Sequence, residues 1–249
     1  YPTCDDPKMR ELPTLRKGEK GETRAAILPL MVFDLGRTYE QTADFANAAR
    51  YYEKFAVDFP ADDRTPDAQF NAALWYKGLG EPDKAIAAFE KYIEIYRKKK
   101  PEEREKLKLV PDAAVAFEIA LIHEAKKDWP KLLAALDKYQ RDYKTEAKWK
   151  LLQAKYKQFL AFQELAKPKE QREKADEILK FALEKDFTEE DKKRESSKLA
   201  IAHCRFFMLE PKFAAYEAIK FDSPRTLAGV LKKKTDDAAA LKTAYEQVV

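Results

Sequence analysis

The residues best suited to chemistry are a histidine and a cysteine that stand side by side, His203 and Cys204. An imidazole base beside a thiol is the combination that a cysteine nucleophile uses. Consecutive side chains on a helix point about 100° apart, however, so these two cannot form a dyad with each other. They lie in the apolar stretch LAIAHCRFFML, which favours burial in a core. We therefore predict no catalytic role for them.

The remaining chemical candidates have simpler structural interpretations. The other histidine, His123, is expected to pack between helices. The carboxylate pairs Glu189–Glu190 and Asp236–Asp237 lie beside lysines, which is typical of solvated charge or of helix N-termini. The sequence has no glycine-rich phosphate loop, no zinc-ligand spacing and no nucleophile elbow. It therefore predicts neither an enzyme, nor a cofactor site, nor a metal site.

The charge pattern argues against nucleic acid as a partner. Charged residues make up 37% of the chain, yet the net charge is only +4 because the signs are interspersed. The lysine runs at 98–100 and 232–234 could contact phosphates, but acidic residues follow the first run at once, in KKKPEEREK. No apolar run approaches the roughly 20 residues that span a bilayer. We expect no nucleic-acid partner and no membrane insertion of this segment.

Composition favours helices throughout the chain. The sequence has only six glycines and is rich in Ala, Leu, Lys and Glu, which are good helix formers. A helix interior rejects proline, so the nine prolines from Pro60 onward are interpreted as breaks between helices. They are Pro60, Pro66, Pro82, Pro101, Pro111, Pro130, Pro168, Pro211 and Pro224.

One helical segment occurs three times. Residues 79–96, LGEPDKAIAAFEKYIEIY, correspond to residues 126–143 after a shift of 47 and to residues 42–59 after a shift of 37. Four columns then share spacings of four, three and four, which place them on one helix face that we predict to be buried. The columns are Ala48, Ala85, Leu132; Tyr52, Phe89, Leu136; Phe55, Tyr92, Tyr139; and Phe59, Tyr96, Tyr143.

The same shifts align the helix that precedes each segment. Its columns are Phe33, Phe70, Phe117; Gly36, Ala73, Ala120; and Tyr39, Tyr76, His123. A small residue three positions before an aromatic one lets a neighbouring helix approach closely. Two helices that share one shift indicate a repeated unit of helix, turn and helix. We therefore predict an all-α fold of antiparallel helical hairpins stacked into a superhelix, or solenoid.

This unit resembles the tetratricopeptide repeat, whose consensus has Trp-x2-Leu-Gly-x2-Tyr followed by Ala, an aromatic residue, Ala and Pro. The first unit, residues 29–62, carries the pattern in Leu35, Gly36, Tyr39, Ala48, Tyr52 and Pro60. Further units start near Asp67, near Ala113 and at Trp149. The resemblance covers residues 29–186 and, more loosely, the remainder.

The resemblance implies one repeat domain over residues 25–249 with about five hairpins. Residues 1–24 contain three prolines, two glycines and no apolar period, so we expect an extended or mobile lead-in. Because the chain starts at Tyr1 and ends within a helical pattern, we expect it to be truncated at one or both ends.

In tetratricopeptide proteins the first helix of each unit lines the concave groove that binds the partner. Carried over by repeat position, the implied groove residues are Phe33, Arg37, Phe70, Leu74, Lys77, Phe117, Leu121 and Glu124. Phenylalanine replaces the polar clamp of the chaperone-binding members. An aromatic strip rimmed by Arg37 and Lys77 would suit an extended or helical segment with apolar anchors. The alternative is that these phenylalanines pack between helices.

The functional expectation is a non-catalytic scaffold that binds other proteins. The links between units are similar to those of tetratricopeptide proteins of bacterial outer-membrane assembly, and the tail resembles members associated with myxobacterial gliding motility. The landmarks of the tail are Phe206, Glu210, Phe213, Tyr216, Lys220, Leu231 and Tyr245. This resemblance implies a periplasmic protein of a cell-envelope machine. A cytosolic adaptor and an accessory domain of a longer enzyme remain alternatives, and the oligomeric state is open.

Overall fold

The computed structural model describes residues 24–221 and 226–248. The predicted lead-in lies outside these residues, except for Arg24, where the first helix begins. Twelve helices and no strand occur in the described ranges. They are α1 (Arg24–Gln41), α2 (Phe45–Asp58), α3 (Thr65–Gly78), α4 (Pro82–Lys98), α5 (Pro101–Lys106), α6 (Asp112–Ala125), α7 (Trp129–Asp142), α8 (Lys148–Glu164), α9 (Pro168–Phe181), α10 (Glu189–Lys193), α11 (Glu195–Glu217) and α12 (Leu227–Glu246).

Prolines mark several of the helix starts, as predicted. A proline occupies the first turn of α3, α4, α5, α7 and α9, where its missing N–H costs no hydrogen bond. Aspartates complete the starts of α2 and α7, because Asp44 and Asp128 accept hydrogen bonds from the backbone N–H groups of Asn47 and Lys131.

The prediction that Pro211 ends a helix is wrong. Pro211 lies inside α11, which runs for 23 residues. Proline removes one intrahelical hydrogen bond, but α11 packs on α8 and α9 and also on α12. Residues 210–215 around this proline are exposed, and two residues beyond it the Phe213 ring lies 6.5 Å from Tyr245 of α12.

The helices form two compact units, the first ending at Leu109 and the second beginning at Val110. In unit 1, α1 pairs with α2 and α3 pairs with α4, and α2 packs on α3. In unit 2 the hairpins are α6/α7, α8/α9 and α11/α12; α7 packs on α8, and α11 packs on both α8 and α9. The short helices α5 and α10 fall in the charged links between hairpins.

The repeated face of the second helix is buried, as predicted. In α2, α4 and α7 the first three columns are at most 2% exposed, from Ala48 and Tyr52 to Tyr139. The fourth column, at the helix ends, is half-buried. Burial of this apolar face stabilises the three hairpins α1/α2, α3/α4 and α6/α7.

The column of small residues lies where the two helices of a hairpin cross. Gly36 is buried, and a Cβ added there would lie 3.0 Å from the Tyr52 ring. Ala73 and Ala120, the equivalent residues, are fully buried. Close helix approach at this column, which the sequence predicted, is therefore confirmed.

Candidate protein-binding surface

In unit 1, α1 contributes a stripe of side chains at positions 30, 33 and 37. Leu30 is 45% exposed, and the Arg37 side chain is 58% exposed with only a 3.9 Å contact to Asp34. Phe33 is half-buried, because its ring packs edge-on against Tyr52 at 5.6 Å and against Phe55 at 5.2 Å. Leu30 and Arg37 are therefore available to a partner, whereas Phe33 is mainly a packing residue.

The stripe on α3 has the same character. Leu74 is 40% exposed, and Lys77, in the last turn, is exposed as well. Phe70 is half-buried against α4, with its ring 5.9 Å from Phe89 and 5.3 Å from Tyr92. The accessible part of this stripe is thus an apolar side chain followed by a cation one turn later.

In unit 2 the predicted groove residues are largely engaged with neighbouring helices. Phe117 and Leu121 are half-buried, and the Phe117 ring lies 5.4 Å from Tyr139. Glu124 accepts a 2.6 Å hydrogen bond from the Lys157 ammonium group, and both side chains are less than one-third exposed. Glu124 therefore ties α6 to α8 through a partly buried ion pair.

Sequence reasoning missed the residue that covers Phe33. The guanidinium group of Arg64 lies 5.3 Å from the Phe33 ring and 5.3 Å from the Phe55 ring. Asp62 fixes it through two hydrogen bonds of 2.9 and 2.8 Å. These hydrogen bonds lower the pKa of the Asp62 carboxyl group despite some desolvation. The only available signal was an arginine in the link FPADDRTP between two units.

Cys204 belongs to the core of unit 2, as predicted, whereas His203 is half-buried beside it. Cys204 is fully buried, and burial raises the pKa of its thiol to about 12. The His203 ring packs edge-on against Phe159 at 5.1 Å, and its Nδ1 lies 2.8 Å from the Tyr156 hydroxyl group. A thiol held protonated in an apolar environment is a poor nucleophile.

The charged residues of unit 2 are mostly paired. Glu177 interacts with both Lys155 and Lys174, beside an open cavity of about 330 Å³ between α8 and α9. The pair Glu189–Glu190 lies in the first turn of α10 and contacts Lys192 and Arg194. The pair thus lies at a helix N-terminus, one of the two placements that the sequence allowed, and both side chains are also exposed. Across residues 24–221 and 226–248, no group of side chains is arranged as a set of metal ligands.

The family comparison identifies the repeated unit. The tetratricopeptide repeat model matches residues 32–62 and 67–98, which correspond to the α1/α2 and α3/α4 hairpins. The chain thus carries tetratricopeptide repeats, and this prediction is confirmed. Such repeats are protein-interaction modules, and proteins built from them are generally non-catalytic, which implies a protein-interaction scaffold for the part of the chain that carries them.

No curated protein matches the chain significantly. Similar solved structures include a protein of nearly identical TPR-like repeats from Podosopora anserina, with 15% identity, a TM-score of 0.45 and coverage of 84% of this chain and 94% of that one. A tetratricopeptide repeat protein from Parabacteroides merdae has 10% identity and a TM-score of 0.46, with coverage of 88% and 78%. MamA has 13% identity, a TM-score of 0.44 and coverage of 88% and 92%. The family match, rather than these likenesses, identifies the repeats.

None of the helices within residues 24–221 and 226–248 combines the length and the apolar character needed to cross a bilayer.

Proposed function

We propose that this scaffold holds partner proteins together in a bacterial cell-envelope machine for motility or outer-membrane assembly, and that it works in the periplasm. The setting is supported by the resemblance of the tail and of the links to envelope members of the family. The scaffold role is supported by the two matched repeats.

The accessible pattern on unit 1 carries the proposal. Leu30 and Arg37 are exposed on one face of α1, two turns apart, and on α3 exposed Leu74 lies one turn before exposed Lys77. An apolar anchor desolvates on binding and supplies affinity, while a cation at the rim favours an acidic partner and speeds association. The surface therefore suits a segment with apolar anchors and acidic flanks.

Replacement of Leu74 tests this surface directly. Leu74→Ser should weaken capture of partners from an envelope extract by about tenfold, the loss expected for one good apolar anchor. Leu79→Ser is the matched control, because Leu79 is 39% exposed, like Leu74 at 40%, and lies outside the stripe. Phe70→Ala is a poorer test, since it would also remove packing against Phe89 and Tyr92.

Capture is measured by affinity pull-down from the extract. Photo-cross-linking from exposed position 30 in cells, followed by mass spectrometry after spheroplasting, identifies the partners in place. We expect cross-linked envelope proteins in the periplasmic fraction, and their loss with Lys77→Glu. Equal capture by the Leu74→Ser and Leu79→Ser variants would reject the surface. Retention of the chain inside the spheroplasts would reject the compartment.

A further inference from the structure

A carboxylate stands at one end of the surface proposed on unit 1. Asp67 lies in the first turn of α3 and is exposed. It comes seven residues before Leu74, close to two helical turns, so the two side chains lie on the same face of α3. Along the helix axis they are about 10.5 Å apart, and Lys77 lies about 4.5 Å beyond Leu74. The exposed stripe of α3 therefore has an anion at one end and a cation at the other.

The environment of Asp67 differs from that of the other carboxyl groups of unit 1 whose pKa is shifted. Burial acts on Glu53, but hydrogen bonds from two neighbouring helices outweigh it and lower the pKa. Hydrogen bonds from Arg64 lower the pKa of Asp62. The pKa of Asp67 is raised instead, because neighbouring protein atoms displace water from its carboxyl group. Its negative charge is thus partly desolvated without a compensating positive charge.

Cations in the links that flank α3 and α4 are held by other carboxylates. Arg64, three residues before Asp67, donates two hydrogen bonds to Asp62. Lys99, directly after α4, lies 4.0 Å from Asp63. Within the part of the chain that the structure describes, the Asp67 side chain has neither a hydrogen bond nor an ion pair. A positive charge brought by a partner would therefore be its first.

The position of Asp67 at a helix N-terminus does not account for its environment. A carboxylate in the first turn is stabilised by the helix dipole and by uncommitted N–H groups, and both effects lower its pKa. Because the pKa of Asp67 is raised, desolvation outweighs any such gain. An ion pair formed at this carboxylate would be screened less by water than one at a fully solvated side chain.

We propose that Asp67 binds a lysine or arginine side chain of the partner, beside the apolar anchor that packs on Leu74. This inference rests on the proposed function, since it assigns a further contact to the same surface. The bound segment then carries a basic residue at the Asp67 end, an apolar residue at Leu74 and an acidic residue at Lys77. Opposite charges at the two ends of the stripe fix the direction in which the segment lies.

The probes are two stapled helical peptides of about 14 residues that differ at one position. A helix that lies along α3 matches the stripe with a basic residue seven positions from a leucine and a glutamate three positions beyond that leucine. The first peptide has lysine at the basic position, and its twin has glutamine there. Binding to the full chain is followed by NMR at the Leu74 methyl groups.

We expect the lysine peptide to bind about fivefold more tightly than the glutamine twin, the upper end of the range for ion pairs near the surface. In Asp67→Asn the two peptides should bind equally, because the partner of the lysine is gone. Glu90→Gln removes an exposed carboxylate of α4 and is the control. It should preserve the fivefold difference.

A lysine preference that persists in Asp67→Asn would overturn the inference. Leu74→Ser separates this failure from failure of the proposed function, because it should weaken both peptides equally. If it does so while the lysine preference persists in Asp67→Asn, only the Asp67 contact is wrong. If neither peptide binds, or if Leu74→Ser weakens neither, the surface itself is wrong.

Urea unfolding supplies a readout that a purely structural role would move. Asp67→Asn should not lower the free energy of unfolding, because it removes a partly desolvated charge. A loss of stability, combined with an equal effect on both peptides, would overturn the inference and assign Asp67 to the helix N-terminus alone.

Discussion

At the residue scale, the small residue at the helix crossing, Gly36 in the first hairpin, limits how closely the two helices of that hairpin approach each other. The Tyr52 ring, 1% exposed, lies directly over Gly36, and its hydroxyl group donates a 2.6 Å hydrogen bond to Glu40. Burial and the Glu40 carboxylate both raise the pKa of Tyr52, so the phenol stays protonated at neutral pH. Because the Tyr52 ring is buried and its hydroxyl group is hydrogen-bonded, the ring cannot easily move aside for a methyl group added at position 36.

We expect Gly36→Ala to lower the free energy of unfolding by about 1 kcal/mol. Alanine gains up to about 1 kcal/mol in helix propensity, but overpacking against a fixed ring costs about 1–3 kcal/mol. Gly78→Ala is the control, because a Cβ there meets no atom within 4 Å, and it should gain about 0.5 kcal/mol. Urea unfolding measures both. A stabilised Gly36→Ala variant would show that the hairpin relaxes freely at this crossing.

At the element scale, hydrogen bonds between polar side chains fix the position of one helix along another. Apolar packing is less directional and fixes that position less tightly. Glu53 on α2 accepts hydrogen bonds from the Tyr76 hydroxyl group of α3 at 2.8 Å and from Lys91 of α4 at 2.9 Å. Burial raises the pKa of Glu53, but these hydrogen bonds outweigh it and lower the pKa below its ordinary value. One carboxylate thus links three helices of unit 1.

The Glu53 link should make stability depend on pH in a defined direction. A carboxyl group with a lowered folded-state pKa contributes stability above its unfolded pKa of about 4.3, and loses it as the pH falls through the folded value. We expect Glu53→Gln to cost about 1 kcal/mol at pH 7 and progressively less below pH ~4. Urea unfolding across this range measures the difference, with exposed Glu90→Gln as the control. A pH-independent difference would contradict the assignment.

At the scale of the whole molecule, the chain consists of two compact units that each bury their own repeated columns. Phe89 is fully buried in α4 of unit 1, and Leu136 is fully buried in α7 of unit 2. In helical repeat proteins each hairpin contacts mainly its neighbours, so damage in one region spreads only a short distance.

Core truncations should therefore act unit by unit. Leu136→Ala should cost about 2–5 kcal/mol and Phe89→Ala about 3–5 kcal/mol. Hydrogen exchange followed by mass spectrometry should show faster exchange in α6–α9 for Leu136→Ala and in α1–α4 for Phe89→Ala. Equal acceleration over both units in either variant would mean that the chain unfolds as a single cooperative body.

Much of the fold was predictable from the sequence because helical periodicity reports directly which face a helix buries. The columns led by Ala48, Tyr52 and Phe55 were visible as repeats and are buried in all three hairpins. The family assignment followed from the same columns and from Gly36 at the crossing. The order of the helices and the helix starts at prolines could be predicted from short stretches of sequence alone.

The candidate site was less predictable. The position of a residue in the repeat indicates which helix face it lies on, but not which other side chain covers it. Phe33 lies on the predicted face, yet Arg64 from the following link packs over its ring. Glu124 occupies a groove position, yet Lys157 of another helix engages it. The helices, their repeat and their buried faces could be predicted because they depend on spacing along the chain. Which of the remaining faces stay open to a partner depends on neighbours distant in sequence, so it is known only from the packed helices.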